Sequence, residues 1–354
     1  FLILVLASIG FTMLYSVSGG SMDPWTRQQL IRFSFGFIIM IGIAFIDLRI
    51  WLSLAYPIYF LALILLVAVE LFGTIGMGAQ RWIDLGFFNL QPSEIMKIAL
   101  VMALSKYFHS LSPEDIRTIR WLIPALMMII VPSALVLIEP DLGTAILLVL
   151  EGTIMLFIAG VRWWKFIIVG AVTVLMAPLF WSSLHAYQQN RILTFFNPER
   201  DPLGAGYHII QSKIAFGSGG IWGKGYLLGT QSHLNFLPEK HTDFIFTTLA
   251  EEFGLVGGLI VLLIYIMLII YSYFISLSSR SSFGKFLGIG ITSTFFLYIF
   301  INISMVMGLI PVVGVPLPLI SYGGTAIVTI LFSFGLLLCI HINRNVSIPK
   351  SLNW

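Results

Sequence analysis

The sequence predicts an all-α membrane protein: a polytopic bundle of about ten transmembrane helices with one large extracytoplasmic loop. Three observations carry that expectation. Apolar residues make up 58% of the 354 positions and charged residues only 10%, with a mean hydropathy of +0.98, a balance that no soluble domain of this length buries in one core. Apolar runs of about twenty residues recur, each long enough at about 1.5 Å per residue to cross a hydrocarbon core of about 30 Å. The weakly alternating ten-residue strands of a membrane barrel are absent.

Taken in order, spans are expected near 1–18, 29–46, 51–72, 93–109, 121–138, 143–160, 166–182, 253–275, 286–308 and 322–341. Phe1 points to a trimmed N-terminus, and the first run leads into further spans, so it is expected to be an anchor rather than a cleaved signal peptide. An even number of spans puts both termini on one side. If that side is the cytoplasm, it collects Arg49, Lys106, Arg117, Arg120, Arg162, Lys165, Arg280, Lys285, Arg344 and Lys350, against Arg27, Arg32 and Arg81 in the opposite short loops. The positive-inside rule therefore predicts cytoplasmic termini in the cytoplasmic (inner) membrane, with the loop at about 183–242 outside. The whole of 1–354 is expected to form a single transmembrane domain.

Within that loop, turns are marked by Asn197-Pro198 and by the Gly-rich stretches 201–206, 217–220 and 223–225. Short helices lying on the membrane surface are expected between them, while Tyr207 to Ile214 alternates too irregularly for a strand. Arg81-Trp82-Ile83-Asp84 reads as an interfacial anchor with its own charge pair, and Glu139-Pro140-Asp141-Leu142-Gly143-Thr144 as a tight outer turn from which Asp141 starts the sixth span. Val315-Pro316-Leu317-Pro318 and Gly323-Gly324 predict an irregular outer segment packed on protein. Gly254, Gly257 and Gly258, with Gly284, Gly288 and Gly290, either open faces to a partner helix or serve packing within the bundle.

Several function classes drop out. Cys339 is the only cysteine, which excludes disulfides and thiolate metal clusters. A net charge of +3 without a Lys/Arg block gives no case for nucleic acid. The six histidines show no metal-ligand spacing, so no metal site is expected.

What remains is the stretch from Phe236 to Phe246, where polar residues stop abruptly at the mouth of the eighth span. Flanked by Phe244, Ile245 and Phe246, the Asp243 carboxylate is partly desolvated, which raises its pKa toward that of a general base; Lys240 and His241 oppose the shift. The alternative is a helix-N-terminal acid behind a Thr242 cap, worth about 0.3–1 kcal/mol. Glu251 and Glu252 lie about 12–14 Å deeper on a continuous helix, too far for a carboxylate dyad with Asp243. They are expected to be structural or to line a wet cleft.

Arg191, Arg200, Lys213, Lys224, Lys240 and His241 surround this acid in the sequence, together with the backbone N–H groups of 217–220 and 223–225. Such a set suits a pyrophosphate; the alternative is a group of interfacial cations on anionic lipid. No Walker-type sequence supports nucleotide binding. In the fourth span, Glu94 and Lys97 share a helix face, and an ammonium there is expensive unless paired. The inferred ion pair, of Glu94 with Lys97 or with another helix, is either a switch or a device for packing specificity.

These residues carry a resemblance. The chain closely resembles, nearly end to end, the SEDS family of bacterial wall polymerases (shape, elongation, division, sporulation), in its RodA branch. The carriers are Gly78-Ala79-Gln80-Arg81-Trp82, Gln91-Pro92-Ser93-Glu94, Glu139 to Thr144, Asp201 to Gln211, Phe236 to Phe246 and Pro316 to Gly324. Lys240 fills a position that is basic in RodA-like and apolar in FtsW-like sequences, and Glu139 stands where many relatives have Gln.

The resemblance implies that Asp243 is the catalytic aspartate, that Glu94 and Lys97 form a pair linked to activation, and that Arg191 is a loop arginine shared with FtsW-like members. It further implies a peptidoglycan glycosyltransferase polymerising lipid II, a disaccharide-pentapeptide on undecaprenyl pyrophosphate, into β-1,4 glycan on the outer face during cell elongation and rod-shape maintenance. The implied partner is a class B penicillin-binding protein (a transpeptidase). No cofactor is assigned, and a divalent cation stays open. Two other readings remain at this stage: a lipid II flippase or other transporter, and a non-catalytic scaffold of a wall-synthesis complex.

Overall fold

The computed structural model describes residues 1–76, 79–84, 86, 89–183, 186–197, 205–233 and 240–349. Among the described residues, six helices are long and apolar enough to cross a membrane: α3 (Leu48–Phe72), α6 (Ile119–Ile138), α7 (Leu142–Ala159), α12 (Ile245–Ser278), α13 (Ser282–Val306) and α14 (Thr325–Ile342). The protein is therefore a mostly helical, multi-pass membrane protein. Apolar but shorter are α1 (Leu2–Val17) and the first part of α8 (Trp163–Ser183). Two further helices of similar length are more polar: α2 (Trp25–Ala44) carries Arg27, Gln28, Gln29 and Arg32, and α4 (Pro92–Ser110) carries Glu94, Lys97 and Lys106.

The ends follow local chemistry. Asp47 caps α3 by accepting from Arg49 N at 2.7 Å, Pro92 opens α4, and Asp141 caps α7 by accepting from Thr144 N and Oγ1. Ser112 and Asp115 close a reciprocal capping box on the short α5 (Pro113–Arg117). The 183–242 stretch contains α9 (Ala186–Phe196), α10 (Ala205–Ser218) and α11 (Thr230–His233). A small antiparallel sheet was not foreseen: β1 (Thr74–Gly76), β2 (Ala79–Asp84) and β3 (Asn89–Leu90) pair in that order. Arg81 to Asp84, expected as an interfacial anchor, lie in its central strand.

The chain divides into two compact units. One comprises Phe1–Ser34, Pro178–Ile269 and Tyr298–Ile327; the other comprises Phe35–Ala177, Ile270–Leu297 and Val328–Trp354. In the second unit α4 packs on α3, α6 and α7 and is buried along nearly its whole length, which explains how a helix with an internal Glu and Lys is tolerated. Gly284, Gly288 and Gly290 have no room for a Cβ beside Ser279, Ser276 and Val101 respectively, so these three serve internal packing.

The organising feature of the first unit is a break in α12. Gly254 has φ +64° inside an otherwise helical run, and the break leaves polar groups of the flanking turns without partners along the helix. Residues 219–225 supply them. Leu255 N and Val256 N donate to Gly220 O and Ile221 O at 2.9 and 3.1 Å, while Glu251 O and Glu252 O accept from Lys224 N and Gly225 N, both at 3.0 Å. Backbone meets backbone so closely that a Cβ on Gly219, Gly223 or Gly254 would collide with the opposite main chain.

Candidate functional site

Asp243 lies in the turn just ahead of α12, half-buried, with Phe244, Ile245 and Phe246 buried behind it. Three consecutive peptide carbonyls are held from the 302–322 segment. Tyr322 N donates to His241 O at 2.9 Å, Ser321 Oγ to Thr242 O at 2.6 Å, and Asn302 Nδ2 to Asp243 O at 2.9 Å. Asn302 Nδ2 also donates to Val315 O at 2.7 Å. The carboxylate faces Gly314, its Oδ2 3.5 Å from where a Cβ on that glycine would stand; Gly314 has φ +79°.

Beside the acid, the His241 imidazole stacks on Trp25 with ring centroids 3.9 Å apart and an interplanar angle of 17°. Tyr322 meets the edge of Trp25 at 5.0 Å, lies under the Arg32 guanidinium at 4.9 Å, and donates its hydroxyl to Gln28. Gln29 Nε2 donates to Ser321 O at 2.9 Å. The polar first turns of α2 are thus spent on the support of 241–243. Lys240 adjoins this group, and burial lowers its pKa below the ordinary lysine value.

The other cations are placed differently. Lys224 Nζ lies 2.7 Å from the fully buried Glu251 Oε1, which also accepts from Thr230 Oγ1 and Gln231 N. Glu252 accepts from Ser16 Oγ and from the backbone of Leu227 and Gly229. The two glutamates therefore fasten the 224–231 segment and α1 to α12. Lys213 is exposed on α10 and its aliphatic stem passes over Gly308; α10 is fixed there by Ser212, which bonds Val306 O and Thr247 Oγ1. Arg191 belongs to α9, with its side chain outside the described residues, as are Arg200 and the loop 234–239.

The second unit holds a separate charged cluster. Lys97 Nζ lies 2.7 Å from Glu94 Oε1, the side chains only 3% and 6% exposed. Glu151 on α7 is within electrostatic reach of both and accepts a hydrogen bond from Thr294 on α13. Sequence reasoning missed Glu151, although a lone carboxylate in the apolar run 143–160 was the available signal. Arg81 pairs across the fold, with Nη2 donating to Pro140 O at 2.9 Å and Nε 3.5 Å from Asp141 Oδ2; Asp84 accepts from Gly86 N instead. At the end of α6, Glu139 is pushed up to about 8, mainly by burial and then by Asp141 and Glu70, with Arg81 opposing. Among the described residues no group of three or more His, Cys, Asp or Glu is placed to hold a metal ion.

Comparison with known proteins adds the following. The FtsW/RodA/SpoVE family model, described as cell cycle protein, matches residues 1–346. Peptidoglycan glycosyltransferase MrdB of Escherichia coli K12 is 45% identical over 351 residues, covering 98% of this chain and 93% of that protein. Stage V sporulation protein E of Bacillus subtilis is 36% identical over 352 residues, covering 95% and 93%. A chain of a peptidoglycan synthase complex, solved for the structural coordination of polymerization and crosslinking, superposes with a TM-score of 0.84 at 28% identity, covering 97% and 96%. The rod shape determining protein RodA of Thermus thermophilus has the same fold, with a TM-score of 0.73 at 24% identity over 97% and 95% of the two chains.

Proposed function

This chain belongs to the FtsW/RodA/SpoVE family of cell cycle proteins, and we propose that it is a peptidoglycan glycosyltransferase that polymerises lipid II into β-1,4 glycan during cell elongation. The observation that carries this reading is the half-buried Asp243 carboxylate, set at the start of α12 by hydrogen bonds to the three carbonyls of 241–243. A base needs a fixed position and partial shielding from water, and this residue has both.

In the proposed reaction Asp243 takes the proton from the acceptor 4-hydroxyl as that oxygen bonds to C1 of the donor sugar. The C1–oxygen bond to pyrophosphate breaks, and undecaprenyl pyrophosphate departs with the bonding electron pair. Attack opposite an α-linked leaving group gives the β-linkage directly, so one carboxylate suffices and no covalent intermediate is required. Arg191, Lys213, Lys224, Lys240 and His241 are the proposed partners of the pyrophosphate charge. Among the described residues, Glu251 and Thr230 take two of the three Lys224 ammonium donors, and the third is the proposed substrate contact.

The proposed topology has ten spans, the six long apolar helices together with α1, α2, α4 and α8, both termini cytoplasmic and 183–242 outside. The proposed partner is a class B penicillin-binding protein, with Glu94 and Lys97 as a pair linked to activation. The buried Glu94, Lys97 and Glu151 are what a transporter would also use, and the assay separates the two readings. Purified protein with fluorescent lipid II should give glycan polymer on a gel, and Asp243→Asn should give none while retaining its thermal midpoint. Lipid II movement across vesicles without polymer, or polymer from Asp243→Asn, would overturn the proposal.

A further inference from the structure

Asn302 is fully buried on α13, and both protons of its amide nitrogen are committed. One goes to the carbonyl of Asp243, the other to the carbonyl of Val315. The orientation of the amide is forced, because two carbonyl oxygens require the donor end and would repel the acceptor end. Val315 directly follows Gly314, the residue that the Asp243 carboxylate faces. A single side chain therefore ties the backbone that carries the carboxylate to the backbone that the carboxylate faces. Ser321 and Tyr322 hold the preceding carbonyls, of Thr242 and His241; Ser321 Oγ also accepts from Leu317 N at 2.8 Å, two residues beyond Val315.

We propose that Asn302 is a positioning residue of the glycosyl transfer, setting the distance and angle between the Asp243 carboxylate and the 314–315 backbone. The proposal rests on Asp243 being the base. Without the amide, the carbonyls of Asp243 and Val315 lose their shared donor and separate, and the carboxylate shifts relative to Gly314 while its chemistry is intact. A displacement of about 1 Å at a reacting group costs on the order of 10²-fold in rate, so the loss belongs in kcat. Substrate contacts made elsewhere stay, so KM changes little.

The test uses the full-length protein with lipid II and compares Asn302→Asp, which keeps the outline and replaces the donors by acceptors, with Asn302→Ala, which removes the group. The expected result is a kcat lowered on the order of 10²-fold, KM within about twofold of wild type, and a displaced acid limb of the kcat/KM profile, with at least one variant keeping its thermal midpoint. A kcat within about twofold of wild type in a folded variant overturns the proposal. So does unfolding of both variants, which would make the role structural. Asp243→Asn in the same assay keeps the two readings apart: if it still polymerises, the base assignment fails. If it is inactive while the Asn302 variants turn over normally, only the positioning role fails.

Discussion

Lys224 Nζ sits 2.7 Å from Glu251 Oε1, with the lysine side chain 28% exposed and the carboxylate at 0%. Removing the ammonium leaves a buried charge unpaired, the costly way to break such a pair. Lys224→Ala is expected to destabilise the protein by about 3 kcal/mol, the lower end for such pairs because the lysine is partly solvated. The double variant Lys224→Ala with Glu251→Gln should recover most of that in thermal unfolding. If the proposed pyrophosphate contact holds, the double variant keeps a raised KM for lipid II; a KM restored along with stability would show that Lys224 acts only through Glu251.

The Glu94–Lys97 pair supports a second prediction. A partner shifts a conformational equilibrium only through its differential affinity for the two states. If the buried pair holds a resting arrangement, Glu94→Gln or Lys97→Met should change the ratio of activity with the penicillin-binding partner to activity without it. Polymerisation rates measured both ways decide the matter. Equal factors in the two conditions would make the pair structural.

Glu139 gives a pH prediction. Its pKa in the folded protein is about 8 against an ordinary 4.5, so between those values the folded state keeps a proton that the unfolded state has released. Stability contributed by this group therefore falls as pH rises from about 4.5 to about 8, and the penalty is complete above that. Glu139→Gln removes the titration. The variant's thermal midpoint should match wild type near pH 4.5 and exceed it increasingly up to pH 8; a difference independent of pH would sink this account.

The parts of this molecule legible in the sequence are those set by neighbours along the chain. Six apolar helices, the Asp141 cap and the Glu94–Lys97 pair all follow from periodicity or short spacing. The support of Asp243 does not, because Asn302 is 59 positions away and Trp25 and Tyr322 lie further still. The partner of Lys224 was hidden for the same reason, 27 positions along the chain. The start of α12 at Ile245 rather than near 253 was missed because Thr247, Thr248, Glu251 and Glu252 interrupt the apolar pattern, yet all four are buried against protein. Of the strands between 74 and 90, β1 and β3 are too short to show an alternation, and the β2 sequence Ala79-Gln80-Arg81-Trp82-Ile83-Asp84 does not alternate.

The left-handed residue at Gly254 also has a consequence for helical phase. A continuous helix turns about 100° per residue, so in an unbroken α12 any insertion would rotate everything beyond it. Here the azimuth resets at 254. A residue gained or lost within 255–278 changes which face the long apolar stretch presents, while Glu251 stays keyed to Lys224 and Asp243 to Asn302. One gained or lost within 245–253 swings these acids against each other. Each stretch is held in phase by its own contacts, 245–253 by these acids and 255–278 by the buried Tyr265, whose hydroxyl donates to Pro318 O, and by Ser276 packed beside Gly288.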